Sequence, residues 1–388
     1  MRAWLRGVMG AGGAAPRPPR RHHGATSSGE GATTLQRFYA MDCLRLSERL
    51  HSVYEPLAQD AETSAFLASC QPSLLLSLAA KLLRMCYSVT DTNGILGRGQ
   101  MFVMSRAHYR ELLGSALASA AVVSEEGGAS ALGGSERGAP LPAASQLTLL
   151  DVGAGDGDVT ARLAPLFGHV SVTEVSRPMA RRLAQRGYDT HVTPFLTEDS
   201  FPEPGVFDVV SVHNVLDRCD HPRELLRGAI RLLRPVTGRL LLAVVLPLCE
   251  FVEDGTKRRP VNGPLPMAGA RCADGASFEA SLNALVERVL EPLGLVVERV
   301  SKVPYLCRGD MWKPYYVLSD AVLVCRVAAD VGDAPHESVV DASPRAAGRK
   351  QALQPSGGGF QHLVDTSVEE ISPFLSGVGR GGVGSSAS

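Results

Sequence analysis

The stretch FDVVSVHNVLDRCDHP, residues 207–222, places an amide and a carboxylate close together where an apolar run gives way to a helix start. The apolar residues before Asn214 predict a buried strand, and Pro222 suits the first turn of a helix. Asn214 can donate and accept hydrogen bonds, whereas the Asp217 carboxylate accepts an N–H or takes up a proton. The pair therefore predicts a catalytic site at the carboxyl end of a strand, where open α/β sheets bind ligands.

Asp217 also has a purely structural interpretation, as a helix cap or as a loop carboxylate paired with Arg218 or Arg223. Asp220 is the better candidate for the helix cap, because it lies just before His221 and Pro222. With Asp220 as the cap, Asp217 is left available for chemistry.

A glycine-rich loop follows the first predicted strand, in the sequence LLDVGAGDGDVTARL. Its glycines allow a sharp turn and a close approach of the backbone to a ligand. A glycine pair alone is weak evidence, but here the loop joins a strand to a helix, and Glu174 ends the next strand. A carboxylate at that position reaches a ribose diol. We therefore predict a nucleoside-containing cofactor bound by Asp151, Gly153, Gly155 and Glu174.

Two classes of cofactor use this arrangement. Nicotinamide dinucleotides place a pyrophosphate at the helix N-terminus, but here Asp156 and Asp158 flank the helix start and would repel it. The same charges suit a cofactor that carries a sulfonium and an ammonium group. S-adenosylmethionine has both, so the loop predicts a class I methyltransferase site rather than an acid-capped turn. Asn214 is then placed to bind the methionine part or the methyl acceptor.

Composition narrows the class of protein. The 388 residues carry a net charge of −1, which argues against a nucleic-acid partner. The eight cysteines form no C-x-x-C pair, so we predict neither a metal site nor a disulfide scaffold. No run approaches the roughly 18 apolar residues of a membrane-spanning helix. These features predict a soluble, intracellular protein without a transmembrane segment.

The elements that position the site follow from the order of apolar runs. From residue 147 onward, short Val/Leu runs alternate with helical segments, as in a parallel sheet buried on both faces. The last two strands have no long helix between them, so we predict that the final strand is antiparallel. The fold class is α/β, a Rossmann-like, mostly parallel seven-stranded sheet with an N-terminal helical extension.

Domain boundaries follow changes in composition. Residues 1–33 are basic and proline-rich, which fits a disordered tail, a mitochondrial presequence or a weak secretory signal. We assign 34–120 to the helical extension and 121–145 to a flexible linker. The methyltransferase domain takes 146–328, and the Gly/Ser-rich tail 329–388 is predicted to be disordered.

Several motifs together resemble the methyltransferase-like 9 (DREV) family. They are GILGRGQMFVMS, LLDVGAGDGDVT, NVLDRCDHP and VPYLCRGDMWKPYYVLSDAVLV. The resemblance spans 35–120 and 146–328, and it excludes the linker, the extreme N-terminus and the tail. It implies cofactor contacts from the glycine loop, Glu174, Asn214 and Tyr305, with Asp217 as the catalytic carboxylate.

The resemblance also implies a substrate. Members of this family methylate the pros nitrogen (Nδ1) of histidine in alternating His-x-His sequences. The partners implied are histidine-rich, metal-binding proteins, and we expect the enzyme to be a monomer. The resemblance implies that the protein resides in the endoplasmic reticulum or the mitochondrion, and the cytoplasm is the alternative. From the residues alone, a small-molecule O- or N-methyltransferase and a non-catalytic binding protein of the same fold remain open.

Overall fold

The computed structural model describes residues 35–114, 147–254, 257–310 and 313–329. Its centre is an eight-stranded sheet in the order β1-β9-β10-β6-β5-β2-β3-β4. The strands of this sheet are β1 (Met101–Phe102), β2 (Thr148–Val152), β3 (His169–Thr173), β4 (Asp189–His191), β5 (Val209–His213), β6 (Arg239–Val245), β9 (Leu295–Arg308) and β10 (Tyr315–Val327). A separate hairpin pairs β7 (Val252–Asp254) with β8 (Lys257–Arg259).

The direction of the strands confirms the predicted fold class. Strands β4, β3, β2, β5 and β6 run parallel, and β10 lies antiparallel between β6 and β9. From β2 the chain builds outward through β3 and β4, and then returns to the other side of β2 with β5. The boundary between β2 and β5 is therefore the switch point where ligands bind in such sheets.

Helices cover both faces of the sheet. They are α1 (Glu48–Ser52), α2 (Ala61–Ser69), α3 (Leu74–Leu83), α4 (Val89–Leu96), α5 (106–114), α6 (Thr160–Leu163), α7 (Arg177–Gln185), α8 (Pro222–Leu232) and α9 (Phe278–Leu285). Successive residues of β5 pack into different hydrophobic cores. Val210 and Val212 belong to one core, whereas Val209 belongs to the other. The continuous apolar runs of the sequence are explained by this burial on both faces.

The region before the glycine loop is part of the same body. Strand β1 pairs antiparallel with β9, which adds an eighth strand to the seven predicted. Leu35, Phe38 and Tyr39 are buried in the core that contains Val209. A two-residue strand has no periodicity of its own, so the sequence gives no signal for it. Segment 1–33, the linker 121–145 and the tail beyond residue 329 lie outside the described residues.

In the part of the chain that the structure describes, the helices are short relative to the thickness of a bilayer. No single helix there is long and apolar enough to cross a bilayer, and α2 and α3 meet that test only as a pair bent by 78°.

Candidate active site

The glycine loop turns through three left-handed residues. Gly153, Gly155 and Gly157 have φ angles of 69°, 59° and 81°, which side chains with a Cβ rarely adopt. A Cβ on Gly153 would lie 2.7 Å from a Val215 methyl group, whereas a Cβ on Gly155 would meet nothing within 4 Å. Gly153 is therefore needed for packing, and Gly155 faces open space where a ligand can approach the backbone.

Glu174 connects the end of β3 to this loop. Its Oε2 accepts the Gly155 N–H at 2.9 Å, and its Oε1 accepts the Ser176 N–H at 2.8 Å. Burial raises the pKa of the carboxyl, while the two backbone N–H groups lower it. The side chain thus fixes the loop and keeps acceptor capacity beside Gly155, since a carboxylate has about four lone-pair sites.

Asp151 is held entirely within the domain. Its Oδ2 accepts the Thr160 hydroxyl at 2.5 Å, and its Oδ1 accepts the Ser211 hydroxyl at 2.7 Å. The side chain therefore ties β2 to α6 and to β5, and both carboxylate oxygens already have partners. Its predicted contact with the cofactor stays a prediction.

His213, at the end of β5, contacts the Tyr109 hydroxyl through one ring nitrogen, and its other ring nitrogen has no hydrogen-bond partner among the described residues. Its Nε2 is 3.2 Å from the Tyr109 hydroxyl, and its Nδ1 is 3.5 Å from Asp151 Oδ1. The rings of His213 and Tyr109 meet edge-on, with centroids 5.7 Å apart. This packing favours a structural role for the histidine.

Asn214 and Asp217, the pair that the sequence singles out, both follow β5. Asn214 has a left-handed φ of 55°, and its backbone N–H donates to the carbonyl oxygen of Ala243 at 2.8 Å. Asp217 is almost fully buried, and its Oδ2 lies 3.2 Å from Arg218 Nε. The ion pair with Arg218 predicted by the structural interpretation is thus present, but it engages only one carboxylate oxygen.

The second oxygen of Asp217 gives the site its chemical character. Asp217 Oδ1 is buried and has no hydrogen-bond partner among the described residues. Burial raises the pKa of this carboxyl, and the charge of Arg218 acts in the opposite direction. Arg218 is itself stacked 3.8 Å over the Phe251 ring. Asp217 is therefore held in place through one oxygen, and its other oxygen can accept a hydrogen bond from a ligand.

The predicted capping role of Asp220 is wrong. His221 occupies the N-cap of α8, and no side chain caps the helix there. Asp220 instead pairs with Arg259 of β8 through both of its oxygens. A bidentate pair with a guanidinium engages both carboxylate oxygens of Asp220 and turns them away from the start of the helix. The inference that Asp217 is not the cap still holds.

Tyr305 lies on β9, opposite Leu318 of β10. Its hydroxyl contacts the sulfur of Met101 on β1, and burial raises its pKa well above the ordinary value. The charge of Asp217 raises the pKa of this hydroxyl further, and the charge of Arg218 lowers it. The structure therefore brings Tyr305 to the same end of the sheet as the acidic residue predicted to be catalytic.

One polar residue of this site was missed in the sequence. Asp320, in the middle of β10, is fully buried and accepts a hydrogen bond from Asn214 Nδ2 at 2.8 Å. A carboxylate inside the apolar run YYVLSDAVLV is the signal that could have identified it, because isolated charges are rarely buried.

These residues fit S-adenosylmethionine. Gly155 leaves room for a ligand against the backbone, and Glu174 lies beside it for a ribose diol. Asn214, Asp217 and Asp320 each carry a buried oxygen without a partner among the described residues. Such a cluster of acceptors suits the ammonium group of the cofactor together with an N–H group of the methyl acceptor. Bound there, the cofactor supplies an electrophilic methyl group.

Together, the strand order and this site define a class I S-adenosylmethionine-dependent methyltransferase fold. The DREV methyltransferase family model matches residues 38–327. The chain therefore belongs to the DREV methyltransferase family, which confirms the resemblance and the S-adenosylmethionine cofactor predicted from the sequence.

Other similarities are more limited. A ubiquinone biosynthesis O-methyltransferase of Caulobacter vibrioides is 34% identical over 94 residues, which are 23% of this chain and 37% of that protein. The methyltransferase CalH, solved with SAH, is 24% identical over 48% of this chain and 52% of CalH, with a TM-score of 0.31. A SAM-dependent methyltransferase from Aquifex aeolicus is 18% identical over 46% of this chain and 81% of its own, with a TM-score of 0.29. The chain thus spans about a third to a half of the first two relatives.

Proposed function

We propose that this protein is a protein-histidine methyltransferase that modifies the pros nitrogen (Nδ1) of histidine in His-x-His sequences. The observation that carries the proposal is Asp217, a buried carboxylate with one oxygen paired to Arg218 and the other without a partner in the described structure. The substrate class rests on the family resemblance of the motifs around Asp217 and Tyr305.

The chemistry needs orientation more than it needs a strong base. Neutral imidazole is a nucleophile near neutral pH, since its unperturbed pKa is about 6.5. Asp217 Oδ1 accepts the Nε2–H of the substrate ring, which selects the tautomer whose Nδ1 lone pair is free. A cofactor held by Glu174 and the glycine loop would supply the methyl group to this lone pair and would leave as S-adenosylhomocysteine.

Asp217 also stabilises the product. The methylated ring is an imidazolium whose Nε2–H still faces the carboxylate, as in sites where an aspartate orients a catalytic histidine. Loss of the Nε2 proton to Asp217, and from there to water, gives neutral methylhistidine. Burial raises the pKa of Asp217, and the charge of Arg218 acts in the opposite direction, which favours the ionised form.

The partner is proposed to be a histidine-rich, metal-binding protein. Methylation of Nδ1 blocks one of the two ring nitrogens that bind metals, so it changes metal affinity directly. The ten histidines of this chain include no His-x-His sequence. The enzyme is therefore expected not to modify itself, which mass spectrometry of the protein incubated alone with cofactor would test.

Label transfer to peptides tests the substrate class. With methyl-labelled cofactor, a peptide containing His-Ala-His should become labelled, whereas a peptide of the same composition with adjacent histidines should not. The rival function is a small-molecule O-methyltransferase, which the ubiquinone biosynthesis relative favours. Label found only on lipid or metabolite extracts would establish that rival. Bound SAH without transfer to either class would indicate a non-catalytic protein.

A further inference from the structure

Asp320 is a charged group in an unusual place. It lies in the middle of β10, in register with Val245 of β6 and Val303 of β9, and it is fully buried. Removing a carboxylate from water is costly, and an apolar residue would fit such a strand better. The role of Asp320 must therefore come from what it contacts.

Its contact fixes the orientation of an amide. Asn214 Nδ2 donates to Asp320 Oδ2 at 2.8 Å. In this arrangement the amide turns its NH₂ group toward Asp320 and its oxygen away, because the bond runs from Nδ2 to a carboxyl oxygen that accepts it. With the amide reversed, two oxygens would face each other. Asp320 thus selects which end of Asn214 is presented to the rest of the site.

The backbone of Asn214 is constrained as well. Its φ of 55° lies in the left-handed region, and its N–H is held by the carbonyl oxygen of Ala243 on β6. An asparagine tolerates this conformation better than most residues. Both the backbone and the side chain of Asn214 are therefore fixed by its neighbours.

The presented oxygen has no partner within the described residues. Asn214 Oδ1 is buried and unbonded there, as are Asp217 Oδ1 and Asp320 Oδ1. Besides burial, the charge of Asp217 raises the pKa of Asp320, and the charges of both carboxylates raise the pKa of Tyr305. Buried acceptors without donors are unfavourable. Three of them at one end of the sheet indicate a ligand that brings N–H groups.

We propose that Asp320 is a positioning residue, which holds the Asn214 amide so that Oδ1 accepts a hydrogen bond from a ligand N–H group. Two ligands carry such a group, namely the cofactor through its ammonium and the methyl acceptor through its ring N–H. The proposal rests on the methyltransferase assignment and does not require the acceptor to be histidine.

The test compares two substitutions at the same position. Asp320→Asn keeps an oxygen that can accept from Asn214, whereas Asp320→Leu removes the acceptor and relieves the buried charge. We expect Asp320→Leu to weaken SAH binding in calorimetry, or to raise the KM of the acceptor, by at least tenfold. Asp320→Asn should recover most of that loss. The midpoint of urea unfolding of Asp320→Leu should be unchanged or higher, which a merely structural role would not produce.

Asp208 offers a matched control at the other end of the sheet. It is a buried carboxylate that accepts the backbone N–H and the hydroxyl of Thr148. Asp208→Asn should lower stability and leave SAH affinity unchanged. A rise in the SAH dissociation constant assigns the ligand N–H to the cofactor, and a rise in the acceptor KM alone assigns it to the acceptor. If wild-type protein binds SAH and Asp320→Leu matches it in affinity, KM and kcat, the proposal is overturned. Failure of the wild type to bind SAH would instead reject the cofactor assignment.

Discussion

The two halves of the candidate active site differ in how their polar groups are satisfied. At the ends of β2 and β3, Asp151 and Glu174 accept hydrogen bonds through both carboxylate oxygens from groups of the domain itself. After β5 and within β10, Asn214, Asp217 and Asp320 each leave one buried oxygen without a partner in the described structure.

This difference indicates that the two halves of the site have different roles. The first half is preformed, because its own hydrogen bonds set the glycine loop before any ligand arrives. The second half contains buried acceptors without donors. Such acceptors are unfavourable for folding, but they can bind a ligand that brings N–H donors or positive charge. Substitutions in the first half should therefore affect stability or cofactor affinity. In the second half, we expect Asp217 to affect turnover and Asp320 to affect affinity for the ligand that Asn214 binds.

The largest effect is expected at Asp217. Asp217→Asn replaces an anionic acceptor by an amide and should lower kcat by about 10²–10⁴-fold, the usual range for lost acid–base catalysis. SAH affinity should stay within about threefold of the wild type, since the predicted cofactor contacts lie elsewhere. Steady-state kinetics and calorimetry measure the two quantities.

Asp220→Asn is the matched control for that substitution. Asp220 lies on the same loop, but its oxygens are engaged by Arg259. Its substitution should leave kcat near the wild-type value. Equal losses in the two variants would show that the loop, rather than the Asp217 carboxylate, supports turnover.

Glu174 should control affinity for the cofactor. Glu174→Gln loses a charge-assisted hydrogen bond worth about 1.5–3 kcal/mol, which corresponds to about 10–150-fold in the dissociation constant of SAH. Calorimetry gives this value directly, and the exposed Glu198→Gln provides a control with the same chemical change. Unchanged SAH affinity in Glu174→Gln would remove Glu174 from the cofactor site.

Asp151 should act mainly on stability. Asp151→Ala leaves the buried hydroxyls of Thr160 and Ser211 without their acceptor, so we expect the free energy of unfolding to fall by about 1–3 kcal/mol. Asp189→Ala, at the exposed edge strand β4, removes a comparable bond to Ser171 and should cost less. Urea unfolding of both variants checks the order. The reverse order would contradict the structural role of Asp151.

The smallest effect is a pH dependence of stability at Asp320. Burial and the nearby charge of Asp217 raise the pKa of this carboxyl well above its ordinary value, while the bond from Asn214 lowers it. An acid with a raised pKa in the folded state contributes stability below its unfolded pKa and loses it as the pH rises through the folded pKa.

The stability of Asp320→Asn relative to the wild type should therefore increase with pH, by at most about 1.4 kcal/mol per pH unit. The window begins near the ordinary carboxyl pKa and extends upward to the folded value. Asp217 and Arg218 are present in both proteins, so their titration largely cancels in the difference. A difference that stays constant or decreases with pH would show that Asp320 is not buried as a charged group.

The sequence revealed one half of the site more completely than the other. Strands β2, β3, β5 and β6 are visible as apolar runs, and the glycine loop and Glu174 are close in sequence. Asp320 was missed because its bond to Asn214 joins residues 106 positions apart, across strands whose order the sequence does not state. The capping role predicted for Asp220 was wrong for a similar reason, since Arg259 lies 39 residues further on.

The identity of the methylated nitrogen tests the role of Asp217 most directly. If Asp217 Oδ1 holds the Nε2–H of the acceptor, only Nδ1 can attack. NMR of the product formed from a His-Ala-His peptide and methyl-labelled cofactor distinguishes the two ring positions. The account predicts methylation at the pros nitrogen alone in the wild-type product. Methylation at the tau nitrogen (Nε2) by the wild-type enzyme would contradict it.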